Sequence, residues 1–103
     1  MLIPENHMRG SLPDGLDSIH NYFESLVLKE LRRRFPDISA NSDYIADIAC
    51  ITLNHLPPRY VRHDVDMAFY LSDEDLEAMI KQVMDEVPRS IAFVDKHRGK
   101  ADK

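Results

Sequence analysis

Residues 47–60 read DIACITLNHLPPRY, and this stretch decides how the rest of the chain is arranged. Its first ten residues have the apolar spacing of a helix, and two consecutive prolines end that helix abruptly. Because a residue that precedes a proline is pushed out of helical backbone space, Leu56 is the predicted last helical residue. Arg59 and Tyr60 are then predicted to leave the helix end in an extended conformation, at an angle that the proline rings nearly fix.

The composition is that of one small globular domain. The chain has 103 residues and no apolar run of membrane-spanning length, and its N-terminus lacks the apolar core of a secretory signal. Its single cysteine, Cys50, excludes an internal disulfide framework and fits a reducing compartment, so we expect the protein in the cytoplasm and not in a membrane. The pattern predicts a flexible tail over 1–16, a helical domain over 17–96 and a second tail over 97–103.

The net charge of −5 argues against a general nucleic-acid binder, which needs a basic face against many phosphates. Two local clusters are nevertheless basic: Lys29 with residues 32–34, and Arg59 with Arg62. The first is explained by a solvated helix end, where cations match the helix dipole. The second suits a small dianionic ligand, since such a ligand needs only one local basic pocket.

The first helix is predicted to begin at Ile19, after an N-cap at Asp17 or Ser18, and to end before Pro36. Its apolar residues repeat at helical spacing and form one core face. Leu28 widens that face beyond what one neighbouring helix of the same chain usually needs.

The second helix is predicted to begin after a cap at Asn41 or Ser42. Its core face comprises Tyr44, Ile45, Ile48, Ala49, Thr52, Leu53 and Leu56. The opposite side is either simply exposed or packed across a dimer. A homodimer is the favoured interpretation, because Leu28 and Ile51 would otherwise be exposed aliphatic side chains without an explanation.

Within the segment 59–71, residues 65–71 are predicted to be a half-buried strand, because apolar residues alternate at 65, 67, 69 and 71. Residues 60–62 are its predicted partner strand. A third helix follows, with Ser72 accepting the amide of Asp75 as its cap. Pro88 interrupts this helix, but the apolar spacing continues in phase, which predicts a kinked, continuing helix.

No catalytic chemistry is predicted. Cys50 has no histidine on its own helix face, and the chain has neither a nucleophile elbow nor a glycine-rich phosphate loop, so we expect neither an enzyme nor a cofactor. His63, Asp64 and Asp66 are metal-ligand types in a short span, but successive strand residues diverge and a zinc site needs three or four convergent ligands. No metal is expected.

The candidate ligand-binding residues are Arg59, Tyr60, Arg62, Asn54 and Asp47. A guanidinium can fork onto a phosphate or a guanine edge, a tyrosine ring offers a stacking face, and carboxylate or amide groups can bind base edges. In the structural alternative to ligand binding, Pro-Pro-Arg-Tyr only ends the helix. Its tyrosine is then packed and its arginine is salt-bridged, with Asp47 as one candidate partner.

This same stretch resembles the late-competence ComFB family. The resemblance is carried by Asp47, Ala49, Leu53, Asn54, Leu56, Pro57, Pro58, Arg59, Tyr60 and Val61, and upstream by Asn21, Tyr22, Glu24, Leu26 and Val27. It covers roughly residues 18–94. It implies a small, bacterial, cytosolic protein that is mainly helical and dimeric and binds cyclic dinucleotides. Many proteins similar to this family carry a cysteine cluster before the second helix; residues 37–42 have none, which removes the metal argument here.

Residues and resemblance together predict a mainly α domain with three main helices and a short β-ribbon, as a homodimer. The expected function is a non-enzymatic receptor for cyclic di-GMP or cyclic di-AMP, acting as a signalling switch in competence, pilus or motility regulation. The alternative is a ligand-free dimeric adaptor that docks on competence or pilus machinery through the second faces of its helices. The acidic charge makes DNA binding the weakest of the three.

Overall fold

A computed structural model describes residue 16 and residues 18–101. The elements in chain order are β1 (His20–Asn21), α1 (Phe23–Arg34), a 3-10 turn (Ile38–Asn41), α2 (Ser42–His55), β2 (Tyr60–Val61), a second 3-10 turn (Asp64–Asp66), the short α3 (Met67–Tyr70) and α4 (Asp73–Ala101). The predicted class is confirmed: three main helices with one short two-stranded antiparallel sheet. The predicted N-terminal tail lies, except for residue 16, outside the described residues.

The core lies where α1, α2 and α4 meet. The core face predicted for the second helix is confirmed, whereas Ile19, Ile80 and Met84, which continue the helical spacing of the other two helices, are exposed. The buried apolar residues of the core are Phe23, Val27, Leu31, Ile45, Ile48, Ala49, Leu56, Met79, Val83, Val87 and Val94. Thr52 is buried among them because its hydroxyl donates to the Ile48 carbonyl at 2.8 Å, which satisfies its polar group inside the same helix. Ile51 is half-buried against this core. It therefore gives no support to a dimer, whereas Leu28 remains exposed.

The first helix begins later than predicted, at Phe23 and not at Ile19. Two interactions hold the preceding residues out of the helix. Asn21 pairs with Tyr60 in the antiparallel ribbon, and its side-chain oxygen accepts the Phe23 amide at 3.1 Å. The Asn21 amide in turn donates to the Glu24 carboxylate at 3.4 Å. These bonds hold Asn21 outside the helix, whose cap residue, Tyr22, makes no side-chain capping bond, and the helix starts four residues downstream of the predicted position.

The last helix follows the sequence pattern closely. The Asp75 amide donates to the Ser72 hydroxyl at 3.1 Å, which is the predicted cap. The helix then runs without interruption through Pro88, as predicted, because Val87 and Val94 on either side of it are both buried in the core. It continues to Ala101, so it includes most of the stretch 97–103 that the pattern assigned to a tail. None of the described helices has the length and apolar character needed to cross a bilayer.

The predicted strand over residues 65–71 is wrong. The partner of Tyr60–Val61 is the upstream pair His20–Asn21, and the residues after β2 form a 3-10 turn and the short α3. The Asp66 amide donates to the His63 carbonyl at 2.9 Å and the Leu71 amide to the Met67 carbonyl at 3.0 Å. These local bonds occupy the backbone groups that a ladder would use. Four alternating residues were too short a pattern to distinguish the two outcomes.

Candidate functional site

The ribbon fixes the backbone that follows the two prolines. Its antiparallel register pairs His20 with Val61 and Asn21 with Tyr60. The Arg59 carbonyl accepts the Tyr22 amide at 2.6 Å, and the Arg59 amide donates to the side-chain oxygen of Asn21 at 2.9 Å. Both backbone groups of Arg59 are therefore bonded to residues just before α1. The predicted set pose after the prolines depends on these bonds as well as on the proline rings.

A hollow of about 420 Å³ lies between this ribbon and the C-terminal end of α2. Two of the five predicted site residues, Asn54 and Tyr60, line it. Tyr60 is 68 % exposed, so a ring face is available to a ligand. The remaining polar lining comes from His20, Asn21 and Glu24. The hollow thus combines an aromatic face with an amide and a carboxylate, which are the groups that stack on a base and bind its edge.

Arg59 and Arg62 lie on either side of this aromatic residue along the chain. Both are exposed, and neither guanidinium has an ion-pair or hydrogen-bond partner among the described side chains, which do not include that of residue 64. The salt-bridged arginine of the structural alternative is thus not seen among those side chains. Arg59 does not line the hollow, so its side chain and that of Tyr60 do not converge there. The two arginines therefore place exposed positive charge next in the chain to, and two residues after, a residue that lines the hollow.

Asp47 is not brought to this site. It precedes Asn54 by seven residues, which is about 10 Å along a helix axis. Its carboxylate lies 3.6 Å from the guanidinium of Arg98, and it lines a separate hollow of about 300 Å³ between α2 and α4. Cys50, which is exposed, lines the same second hollow. The predicted set of five therefore divides into four residues around the ribbon and one elsewhere.

The surroundings of Arg98 account for the placement of Asp47. The guanidinium lies 5.3 Å from the ring centre of Tyr44, whose hydroxyl donates to Asp95 at 2.6 Å. The hydrogen bond to Asp95 raises the pKa of Tyr44, with partial burial acting in the same direction. Asp47 and Arg98 therefore belong to a polar network that joins α2 to the last turns of α4. Because at least half of the side chain is exposed in both Asp47 and Arg98, their ion pair adds little to stability.

Sequence reasoning missed His20, Asn21 and Glu24 as lining residues because it placed residues 19–21 inside the first helix. The pattern Asn21-x-x-Glu24 was the available signal, since an asparagine three residues before a glutamate marks a helix start. Among the described residues, no group of three histidine, cysteine or acidic side chains is arranged to hold a metal ion.

Comparison with known proteins gives one match. A family model described as late competence development protein ComFB matches residues 20–98. No curated protein and no solved structure matches the chain.

Proposed function

The chain belongs to the ComFB family of late competence development proteins, which suggests a competence-related role, and from that premise we propose that it is a non-enzymatic receptor for a cyclic dinucleotide. The observation that carries the proposal is the hollow beside the ribbon, which is lined by Tyr60 and Asn54, with the exposed Arg59 and Arg62 close by in the chain. Its volume of about 420 Å³ falls within the range of roughly 300–1,000 Å³ that is typical of small-molecule sites.

The proposed binding mode assigns each group one task. One base stacks on Tyr60, and its edge bonds to Asn54 and Glu24 inside the hollow. The phosphates lie outside it, where Arg59 and Arg62 provide charge-assisted hydrogen bonds. A guanine edge offers neighbouring N–H donors to a carboxylate, so Glu24 favours cyclic di-GMP over cyclic di-AMP. The proposed receptor acts in the cytoplasm as a homodimeric switch in competence, pilus or motility regulation.

Isothermal titration of the purified protein with each dinucleotide tests the proposal. We expect heat of binding at micromolar protein, and an affinity at least about tenfold lower for Arg59→Ala, because one charge-assisted contact is worth more than about 1.4 kcal/mol. The melting temperature of Arg59→Ala should stay within about 2 °C of the original, since its side chain is exposed and unpaired.

Arg89→Ala is the matched control. Arg89 is an exposed arginine on α4 with one long contact, 3.4 Å, to Glu86, so its removal should leave the affinity unchanged. The absence of heat with both dinucleotides would remove the receptor proposal. Equal losses for Arg59→Ala and Arg89→Ala would show that only general charge, and not the ribbon site, attracts the ligand.

A second candidate function, a ligand-free adaptor, is favoured by a different observation. Val65, Phe69 and Tyr70 are exposed by 68, 81 and 77 %, which is unusual for three neighbouring apolar side chains. Transformation frequency separates the two functions in cells. A receptor loses activity with Arg59→Ala, whereas an adaptor that docks through this segment tolerates Arg59→Ala. Loss with Phe69→Ser alone does not separate them, because a dimeric receptor could also need Phe69.

A further inference from the structure

The outer surface between α1 and α4 carries a groove of about 270 Å³, which we call the α1–α4 groove. Its apolar lining is provided by Leu26, Ile80, Val83 and Met84. Ile80 and Met84 are 40 and 48 % exposed, so the floor is open to a partner. A second, neighbouring hollow on α1 shares Lys29 with this groove and extends the surface to Leu28 and Arg32.

The rim of this surface carries unpaired positive charge. Glu30, the one acidic residue in its lining, is neutralised by Arg33 and Arg34, whose side-chain nitrogens lie 2.6 to 2.9 Å from its carboxylate. On the α4 side, Lys81 is paired with Asp85 at 3.1 Å. Lys29 and Arg32 have no partner in the described part of the chain. The α1–α4 groove is therefore an apolar floor with a basic rim.

A complementary surface exists on the same molecule, in residues 65–75, which we call the acidic apolar segment. Its apolar side chains Val65, Phe69 and Tyr70 are among the most exposed of the described residues. They are followed at once by the exposed acidic residues 73–75, which make no ion pair within the described ranges. The segment is thus apolar and acidic where the groove is apolar and basic.

We propose that the acidic apolar segment of one copy occupies the α1–α4 groove of a second copy, and that the exchange is reciprocal. Charge complementarity favours this contact over a contact between two grooves or between two segments. Two grooves placed face to face would oppose like positive charges, and two segments would oppose like negative charges, whereas segment against groove pairs opposite charges. A reciprocal, two-fold exchange closes the assembly at two copies and doubles the buried area of a single contact.

A purely intramolecular account explains only part of these observations. The acidic residues 73–75 stabilise the positive end of the α4 helix dipole, which requires no partner chain. That account leaves unexplained the exposed Phe69 and Tyr70, and it predicts no effect of Lys29 or Arg32 on association. The inference does not depend on dinucleotide binding, because the groove and the ribbon site share no residue.

Charge reversal tested by sedimentation velocity is the sharpest experiment. The groove variant Lys29→Glu/Arg32→Glu and the segment variant Glu74→Lys/Asp75→Lys should each dimerise at least about tenfold more weakly than the original protein. An equimolar mixture of the two variants should form a heterodimer. In that mixture the reversed groove meets the reversed segment and the original groove meets the original segment, so both contacts are again of opposite charge.

Two further variants complete the design. Arg89→Glu/Lys96→Glu makes the same change in charge at exposed α4 positions outside the groove and should dimerise like the original protein. Phe69→Ser removes an apolar anchor without touching a charge or the α4 dipole, and it should weaken dimerisation at least about tenfold. Circular dichroism melts establish that each variant is folded.

Three results would overturn the inference. The first is an original protein that stays monomeric at about 100 µM, well above the Kd expected of a functional dimer. The second is a dimer that none of these variants weakens, which would locate the dimer contact on another surface. The third is a mixture of the two reversed variants that remains monomeric. Dinucleotide titration of the same variants reports separately on the receptor proposal.

Discussion

The three-helix core and the connection from Arg59 to Leu71 contain similar apolar residues, which are buried in the core and largely exposed in the connection. In the core, Val27, Leu31 and Ile48 are fully buried. In the connection, apolar residues of comparable size lie on the surface, and Phe69 is 81 % exposed. The core residues repeat at helical spacing over several turns against two partner helices. The connection consists of the two-residue β2, a 3-10 turn and the one-turn α3, and among its described side chains only Met67 is buried. Burial in this protein follows from long periodicity and not from hydrophobicity alone.

The largest effect should come from the core. Leu31→Ala should lower the free energy of unfolding by about 2–5 kcal/mol, because it removes a fully buried side chain and leaves a cavity between the helices. Leu28→Ala makes the same chemical change three residues earlier on an exposed position, and at a protein concentration too low for association we expect a loss below about 1 kcal/mol. Urea unfolding of dilute protein measures both values. Equal losses would show that Leu28 is buried within its own chain.

The next largest effect on stability should come from Asn21, whose side chain links the start of α1 to the beginning of the connection. Asn21→Ala should lower the free energy of unfolding by about 1–2 kcal/mol, since it deprives the amides of Phe23 and Arg59 of one shared acceptor. It should also weaken dinucleotide binding, because Asn21 lines the hollow and the Arg59 amide would lose its acceptor, leaving only the bond from the Tyr22 amide to the Arg59 carbonyl. Asn41→Ala is the control: Asn41 precedes α2 but makes no side-chain capping bond. Thermal melts compare the two, and identical losses would contradict a special role for Asn21.

A smaller effect should appear only in acid. Hydrogen bonds from Arg33 hold the pKa of Glu30 below its ordinary value of 4.5, with burial opposing and Arg34 adding to the shift. Because the folded-state pKa is the lower one, the stabilisation is present above pH 4.5 and is lost as the pH falls through the folded-state value.

Glu30→Gln should therefore cost about 1 kcal/mol near neutral pH and reduce the loss of stability below pH 4.5. Glu77→Gln, an exposed change on α4, should keep the original pH dependence. Urea unfolding at a series of pH values tests this. Parallel curves for Glu30→Gln and the original protein would show that this carboxylate does not contribute.

The smallest effect should come from the connection. Phe69→Ala, measured at a protein concentration too low for association, should change the free energy of unfolding by less than about 0.5 kcal/mol. A loss of several kcal/mol in dilute solution would mean that this ring packs within its own chain. That result would contradict the difference in burial between the three-helix core and the connection.

The helices and most of their buried faces could be predicted because both depend on residue spacing and capping within a short stretch of sequence. Spacing located the buried positions from Phe23 to Val94, and Ser72 identified the start of α4 correctly. The ribbon could not be paired from sequence, because the residues that join it, Asn21 and Arg59, are 38 positions apart. Tyr60 and Asn54 were predicted as neighbours because Asn54 lies in the last turn of α2 and the two prolines hold Tyr60 just beyond it. Asp47 was grouped with them because it is close in sequence, although two helical turns separate it from Asn54.

The hydrogen bonds that join Asn21 and Tyr22 to Arg59 also close a loop that contains all the residues between them. Within that closed loop, the 3-10 turn connects the end of α1 to the start of α2, and the ribbon connects the start of α1 to the end of α2. The long α4 is attached at one end only, but its buried residues Met79, Val83 and Val87 fill the space between α1 and α2, so its departure would expose the core. A sub-global opening should therefore begin at the two-residue ribbon, whose few bonds are exposed, and not in α4. Amide hydrogen exchange should accordingly be faster at Arg59 than at the α4 amides near Val83 and Val87.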